Sequence, residues 1–116
     1  MTPNRDASAL LDIYNAATKI LNFSDGFDDK KFFADERTQS AILHELMIIG
    51  EAVKRLSLEF RLSHPDIRWT PMAGMRDVLI HAYDTVDLEE VWRTVTNDIP
   101  SLVTSLTPLL PTDYEE

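Results

Sequence analysis

The stretch DERTQSAILHELMIIGEAVKRLSLEFRL, residues 35–62, decides the fold class of this chain. Its apolar side chains recur three or four residues apart, a spacing that places them on one face of a helix. The His64-Pro65 step ends the pattern, because the residue before a proline is pushed out of the α region. We therefore predict one long helix over about residues 35–62, and its apolar face comprises Ala41, Ile42, Leu46, Ile49, Ala52, Val53, Leu56 and Phe60.

Gly50 lies in the middle of this predicted helix. A glycine inside a helix costs up to about 1 kcal/mol relative to alanine. A close approach by a neighbouring helix would offset that cost, so we expect another helix to pack directly against Gly50.

The sequence before the long helix predicts a second one. Apolar residues follow the helical spacing over about residues 6–22, and the stretch FSDGFDD, residues 23–29, interrupts them with a glycine and three aspartates. We also expect a short turn of helix through Lys30–Phe33, immediately before the long helix.

Two further helices are predicted after it. Thr70 and Pro71 are typical of a helix N-cap followed by proline in the first helical position, and this helix would run to about Tyr83. Asp87 and Glu90 resemble a capping box at the start of a last helix, which Pro100 should kink or restart. Together these segments predict an all-α bundle of four to five helices, antiparallel where the loops are short.

The composition bounds the class of protein. With 116 residues, 44% of them hydrophobic, we expect one domain over residues 1–116, with a frayed acidic tail at 110–116. The absence of cysteine excludes disulfides and cysteine-based zinc sites. No apolar run approaches the roughly 20 residues that span a bilayer, and the N-terminal stretch has no signal-peptide core, so we expect a cytoplasmic protein without a membrane partner.

The net charge of −9 argues against sequence-independent binding to nucleic acid, which depends on neutralising phosphates. Any chemistry on RNA would need a local basic cleft, or a groove between two copies of the chain. A basic protein partner is the simpler alternative.

The segment MRDVLIHAYD, residues 75–84, gathers four polar groups in the third predicted long helix. At 100° per residue, Arg76 and Tyr83 share a face, whereas Asp77 and His81 are i, i+4 neighbours that could pair. Arg76 and His81 therefore do not converge on a straight helix. Either the helix is distorted near its end, or a two-fold dimer brings two copies of the motif together; we favour the dimer, since it supplies two arginines.

Metal-free cleavage of an RNA phosphodiester suits this set. His81 would act as general base on the ribose 2′-OH or as general acid on the leaving 5′-oxygen. Arg76 would stabilise the charge on the phosphorane-like state, and Asp77 would orient the imidazole. Each residue also has a plain structural explanation, because Asp77 and His81 could form an ordinary surface pair and Tyr83 could belong to the core.

Other sites have little support in the sequence. His44 and His64 have no partner set, so we interpret both as structural or solvated. No histidine or carboxylate cluster has the spacing of metal ligands, and no glycine-rich phosphate loop is present. We expect this chain to need neither a metal nor a cofactor.

The segment RDVLIHAY, residues 76–83, fits the Arg-x4-His-x-Tyr signature of the HEPN superfamily. The wider run, IIGEAVKRLS at 48–57 and HPDIRWTPMAGMRDVLIHAYDTVDLEEVWRTVTNDIPSL at 64–102, resembles the HepT-like branch. The likeness extends from the first helix to about residue 109. The IGEA segment, the tryptophan before GMR and VDLEEVW after the tyrosine make it much more specific than the short signature alone.

This resemblance implies a HEPN-type antiparallel bundle that forms a homodimer with paired motifs in a cleft. It also implies a ribonuclease toxin of a type VII-like toxin–antitoxin pair, whose substrate is RNA. Arg76 and His81 would be the catalytic pair, Asp77 would fill the polar position after the arginine, and Ala82 occupies a slot where the branch often has a polar residue. Tyr83 would be the site of AMPylation by an MntA-like nucleotidyltransferase antitoxin, and ATP would be used by that partner rather than by this chain.

Two alternatives to the nuclease remain open. The domain could be a non-catalytic helical binding partner of a nucleotidyltransferase, which the net charge slightly favours. It could also be a structural all-α dimer in which the motif is a stabilising ion network.

Overall fold

The structure, a computed structural model, describes residues 3–81 and 85–111, with side chains over 5–80 and 85–111. Within these ranges the chain is helical and contains no strand, which confirms the all-α prediction. A π-helical turn at Thr94–Asp98 and a 3-10 turn at Thr107–Leu109 complete the helical segments. The α-helices are α1 Pro3–Ser24, α2 Asp29–Phe33, α3 Glu36–Arg55, α4 Leu58–Ser63, α5 Trp69–His81, α6 Leu88–Arg93 and α7 Ile99–Leu106.

Helix α3 lies at the centre, between α1 and α5. Small side chains on α1, Ala9, Ala16 and Ala17, are fully or almost fully buried and let α1 and α3 pack closely. Asp6 in the first turn of α1 accepts hydrogen bonds from Ser57, just past the end of α3. Asp12, about one and a half turns further along α1, pairs with Arg55, so these two helices are antiparallel.

The hydrophobic core extends from the α1–α3 pair to the C-terminal helices. Phe32 of α2 is fully buried and stacks on Trp92 of α6 with 4.9 Å between ring centroids. Leu79 is the α5 side chain that is buried deepest, and Leu106 closes the core from α7. Burying each large apolar side chain contributes about 1.5–3 kcal/mol, so these contacts fix how the helices sit around α3.

The predicted single helix over residues 35–62 is wrong in its last quarter, because the chain breaks between α3 and α4. Ser57 caps α4 by accepting a hydrogen bond from the Phe60 amide at 3.1 Å. The Ser57 amide and hydroxyl both donate to the Asp6 carboxylate at 2.8 Å. The Ser57 hydroxyl oxygen thus accepts from one amide of the first turn of α4, and Asp6, which is far away in the sequence, accepts from the Ser57 amide at the break.

Helix α5 begins at Trp69, two residues earlier than the predicted Pro71, so Thr70 lies inside the helix instead of capping it. Trp69 determines this start. Its side chain is buried, and its indole N–H donates to the His64 carbonyl at 3.0 Å, which ties the beginning of α5 to the end of α4.

The C-terminal helices confirm the predicted start and the predicted kink. Asp87 caps α6 by accepting from the amides of Glu89 and Glu90. Pro100 has no N–H to give to the preceding turn, and the helix widens just before it, where the Ile99 amide bonds the Thr94 carbonyl five residues back. The helix therefore restarts as α7 in a shifted register.

None of the helices in the described ranges is long and apolar enough to cross a bilayer. Residues 112–116 of the expected frayed tail lie outside those ranges.

Candidate active site

The contact between α3 and α5 is closest at Gly50. A Cβ atom at this position would lie 2.2 Å from the Cβ of Arg76 and 3.0 Å from the carbonyl oxygen of Met72. Real Cβ atoms do not approach that closely, so only glycine fits without a shift of one helix. The expected close packing at Gly50 is confirmed, and the residue that packs there is Arg76.

The Arg76 guanidinium is held by two carboxylates. Its Nε and Nη2 atoms donate to the same oxygen of Glu51, at 2.9 and 2.5 Å. Its Nη1 atom donates to Asp77 at 3.2 Å. The side chain is 24% exposed, so the charge is partly withdrawn from water and remains reachable from one side.

Asp77 also binds a second cation, Lys54 of α3. The Lys54 ammonium donates at 2.7 Å to the same Asp77 oxygen that accepts from Arg76. Lys54 first, and Arg76 second, hold the pKa of the Asp77 carboxyl below its usual range. The hydrogen bond to Glu51, and then that to Asp77, raises the pKa of Arg76 above its already high value.

The structure places the other motif residues only in part. His81 is the last residue of α5, five positions after Arg76, and its side chain lies outside the described residues. The predicted pair of Asp77 with His81 therefore stays a prediction, whereas the contacts of Asp77 with Lys54 and Arg76 were not predicted. Tyr83 and Ala82 also lie outside the described ranges.

Comparisons with known proteins agree on one family. The family profile "Ribonuclease HepT-like" matches residues 13–108. The "Probable ribonuclease HepT" of Thermococcus cleftensis is 46% identical over 93 residues, which cover 80% of this chain and 84% of that protein. The "Putative RNase MJ0125" of Methanocaldococcus jannaschii is 39% identical over 101 residues, which cover 86% of this chain and 87% of the relative.

The chain belongs to the HepT-like ribonuclease family. This membership confirms the resemblance that the motif segments indicated, and it supports ribonuclease activity. The comparison with solved structures gave no match.

The other two histidines of this HepT-like protein, His44 and His64, take no part in the Arg76 contacts described above. His44 is exposed on α3. The His64 ring packs against Phe60 with 4.6 Å between centroids, as expected of a structural residue. Within the described part of the chain, no group of three histidine, aspartate or glutamate residues could hold a metal ion.

The other face of α5 borders a cavity of about 570 Å³. Apolar side chains dominate its lining, and neither Arg76 nor Asp77 takes part in it, so it is not where Arg76 would bind a phosphate. Val78 and Ile80 on α5 are 55% and 41% exposed. Their exposure shows that this part of α5 is only partly covered by the rest of the described chain. The lining includes Leu46, Ile49, Met72, Met75, Val78, Leu79, Val91, Ile99 and Leu102.

Sequence reasoning missed Glu51 and Lys54. A signal was present, because Gly50 was already expected to touch another helix. The residues beside a contact glycine, at one and four positions further on, must lie along the rim of that contact. The sequence did not indicate which helix would supply their partners.

Proposed function

We propose that this HepT-like protein is a metal-independent RNA endonuclease that acts as the toxin of a toxin–antitoxin system. The observation that carries the proposal is the anchored guanidinium of Arg76, five residues before His81, in a chain of a ribonuclease family. A fixed guanidinium can stabilise negative charge on a phosphate without reorganising during the reaction.

The reaction would be an internal transfer at phosphorus. The ribose 2′-oxygen attacks the phosphorus, the bond to the 5′-oxygen breaks, and the products are a 2′,3′-cyclic phosphate and a 5′-hydroxyl. His81 would take the proton from the 2′-OH or give one to the leaving 5′-oxygen. Arg76 would contact the non-bridging oxygens, whose charge grows in the transition state.

We further propose that the active site is composite and lies in a cleft between two copies. Positions 76 and 81 do not share a face of a regular helix, so a regular helix in one copy would not bring Arg76 and His81 together. The exposed Val78 and Ile80 support a partner on this part of α5, because an isolated domain gains by covering such side chains. A two-fold axis near α5 would bring the two motifs together.

The regulation that we propose is AMPylation of Tyr83 by a cognate nucleotidyltransferase antitoxin. The tyrosine oxygen would attack the α-phosphate of ATP, pyrophosphate would leave, and the phenolic proton would pass to a base or water. The added group carries a negative phosphate and considerable bulk. Close to Arg76, it would exclude RNA by charge and by size.

The first experiment tests cleavage. Purified protein free of adenylate, incubated with end-labelled RNA and EDTA, should cut it and leave 2′,3′-cyclic phosphate ends. Arg76→Ala and His81→Ala should each slow the cleavage by about a hundredfold or more. RNA left intact by the wild-type protein would contradict the nuclease, and cleavage that needs an added divalent ion would contradict metal independence.

The second experiment tests regulation. The protein is co-expressed with the nucleotidyltransferase and its intact mass is measured with its RNA-cleaving activity. We expect one or more AMP units, mapped to Tyr83, and a silent nuclease. Tyr83→Phe should stay unmodified and active. A tight complex without added mass would instead favour a scaffold.

One observation favours a second candidate, the non-catalytic binding partner of a nucleotidyltransferase. Two carboxylates neutralise Arg76 and Lys54, and the chain as a whole carries −9, so the site does not attract polyanions by net charge. The cleavage assay separates the two candidates, since a binding partner would leave RNA intact while still forming the complex.

A further inference from the structure

Glu51 and Arg76 form an ion pair whose geometry orients the guanidinium rather than only neutralising it. Glu51 engages the side edge of the guanidinium, since one of its oxygens accepts from both Nε and Nη2. A guanidinium has five N–H groups in a rigid plane, so two donors that converge on one oxygen direct its Nε–Nη2 edge towards Glu51.

Helix α3 holds the same side chain at both ends. At the base, the Gly50 backbone lies against the Arg76 Cβ, closely enough that an added Cβ would clash at 2.2 Å. At the end of the side chain, Glu51, which follows Gly50 in α3, forms the ion pair with the guanidinium. From the third side, Asp77 contacts Nη1 and is itself held by Lys54.

These contacts use three of the five N–H groups of Arg76. Among the described residues, these contacts leave one N–H on Nη1 and one N–H on Nη2 unused. That is the number that a two-point contact with phosphate oxygens requires.

From this arrangement we propose that Glu51 is a positioning residue for RNA cleavage, which holds Arg76 so that its terminal edge faces the scissile phosphate. The inference rests on the proposed nuclease function and adds a residue to it. Glu51 itself does not touch the substrate. Its carboxylate acts through Arg76, and Gly50 and the Asp77–Lys54 pair complete the support.

The charges of the four residues make the role of Glu51 testable. Arg76 and Lys54 balance Glu51 and Asp77, so removing Glu51 leaves the site more positive. RNA should then bind equally well or more tightly, whereas the freed guanidinium should stabilise the transition state less well. Positioning therefore predicts a lower kcat with an unchanged or lower KM. A carboxylate that merely competes with RNA for Arg76 predicts a higher kcat/KM.

The kinetic test compares Glu51→Ala, Glu51→Gln and Asp12→Ala with the wild type on the same RNA. We expect Glu51→Ala to lower kcat roughly tenfold to a hundredfold, and Glu51→Gln to recover part of it because an amide oxygen still accepts a hydrogen bond. Asp12→Ala is the matched control. Asp12 also pairs with an arginine of α3 and is 47% exposed, against 48% for Glu51, and its loss should leave kcat unchanged.

A second readout does not depend on cleavage. The Nε–H signal of Arg76 in a ¹⁵N–¹H NMR spectrum should be shifted downfield and exchange slowly with water in the wild type. Glu51→Ala should return the signal to the position and exchange rate of a free arginine, and Asp12→Ala should not.

The outcomes separate this inference from the proposed function. An unchanged or raised kcat in Glu51→Ala, an equal loss in Asp12→Ala, or an Arg76 Nε–H signal indifferent to Glu51 would overturn the positioning role while leaving the nuclease intact. Wild-type protein that cuts no RNA would overturn the nuclease itself, and the NMR signal would then still decide whether Glu51 holds the guanidinium.

Discussion

The two sides of α5 differ in kind. Towards α3, Arg76 is held by the contact with Gly50 and by the carboxylates of Glu51 and Asp77, the second of which also binds Lys54. Towards α6 and α7, the same helix borders an apolar cavity and exposes Val78 beside it. A helix this short therefore carries a polar, tightly held face and an apolar, loosely covered face within a few residues.

This difference suggests a division of tasks. The held face has the properties of a site that must keep a charged group in one place, because close packing and ion pairs restrict its motion. The loosely covered face has the properties of a surface that another chain could cover. Substitutions on the held face should leave dimerisation unchanged, and substitutions on the loosely covered face should leave the Arg76 contacts within one copy unchanged. The following predictions test that separation.

The largest effect is expected for Arg76→Ala, which should lower the rate of RNA cleavage by about a hundredfold or more. The thermal midpoint should change little, because Glu51 and Asp77 are about half exposed and can be solvated when their partner is removed. Cleavage rates and thermal melts measure the two effects. Arg55→Ala, which removes the other arginine pair of α3, is the control.

If Arg76→Ala instead lowers the melting temperature by several degrees and leaves cleavage untouched, the motif is a stabilising ion network. The separation of the two faces would then have no catalytic meaning.

The next largest effect is expected for Val78→Glu on the apolar face. A charge placed in the proposed dimer interface costs about 3 kcal/mol, so the dimer dissociation constant should rise roughly a hundredfold. Sedimentation velocity over a range of concentrations measures it. Leu62→Glu on α4 is the control, because Leu62 is 69% exposed but lies on a different helix.

A Val78→Glu protein that sediments like the wild type would show that this face is not the interface. Loss of the dimer in the Leu62→Glu protein would move the interface to α4.

A moderate effect is expected for Gly50→Ala, which forces α3 and α5 apart at Arg76. Overpacking costs about 1–3 kcal/mol, and the better helix propensity of alanine offsets up to about 1 kcal/mol of it. Chemical denaturation should therefore show a net loss of about 1–2 kcal/mol. Gly74→Ala is the control, because a Cβ there meets nothing within 4 Å, and it should gain up to about 1 kcal/mol. Equal changes in both variants would contradict the close contact.

The smallest effect is expected in acid. Because Lys54 and Arg76 lower the pKa of Asp77, its contribution to stability is present above the usual aspartate pKa of about 4 and is lost as the pH falls through the lowered value. A side-chain carbonyl NMR titration should show Asp77 ionised where an ordinary aspartate is half protonated. Lys54→Met should move the pKa back upwards, and an unchanged titration would show that Lys54 does not contact Asp77 in solution.

Much of the fold could be predicted from the sequence, since the helical spacing and the caps depend on neighbouring residues. The cap at Asp87, the kink at Pro100 and the helix contact at Gly50 could each be predicted from the residue itself and its neighbours in the sequence. The break at Ser57 could not be predicted in this way, because the apolar spacing runs on through it from Leu56 to Phe60. What stabilises the break is Asp6, which lies on another helix.

The part of the candidate site that lies within one segment, residues 75–84, could be predicted from the sequence. Arg76 and Asp77 were identified from their spacing with His81. Their partners in the structure, Glu51 and Lys54, lie more than twenty residues away, and only the packing of α3 against α5 brings them together. A helical wheel treats α5 alone, so it could not indicate these contacts. The pair of Asp77 with His81 stays a prediction, because the His81 side chain lies outside the described residues.

The clasp between Asp6 and Ser57 has a practical consequence for handling the protein. The corner that follows Lys54 by three residues depends on the carboxylate of Asp6, in the first turn of α1. A truncation that removes Asp6, or Asp6→Ala, would leave both Ser57 donors to water and loosen the turn behind the Arg76 support. Preparations that differ in whether they keep Asp6 should therefore be compared before any difference in their activity is attributed to chemistry.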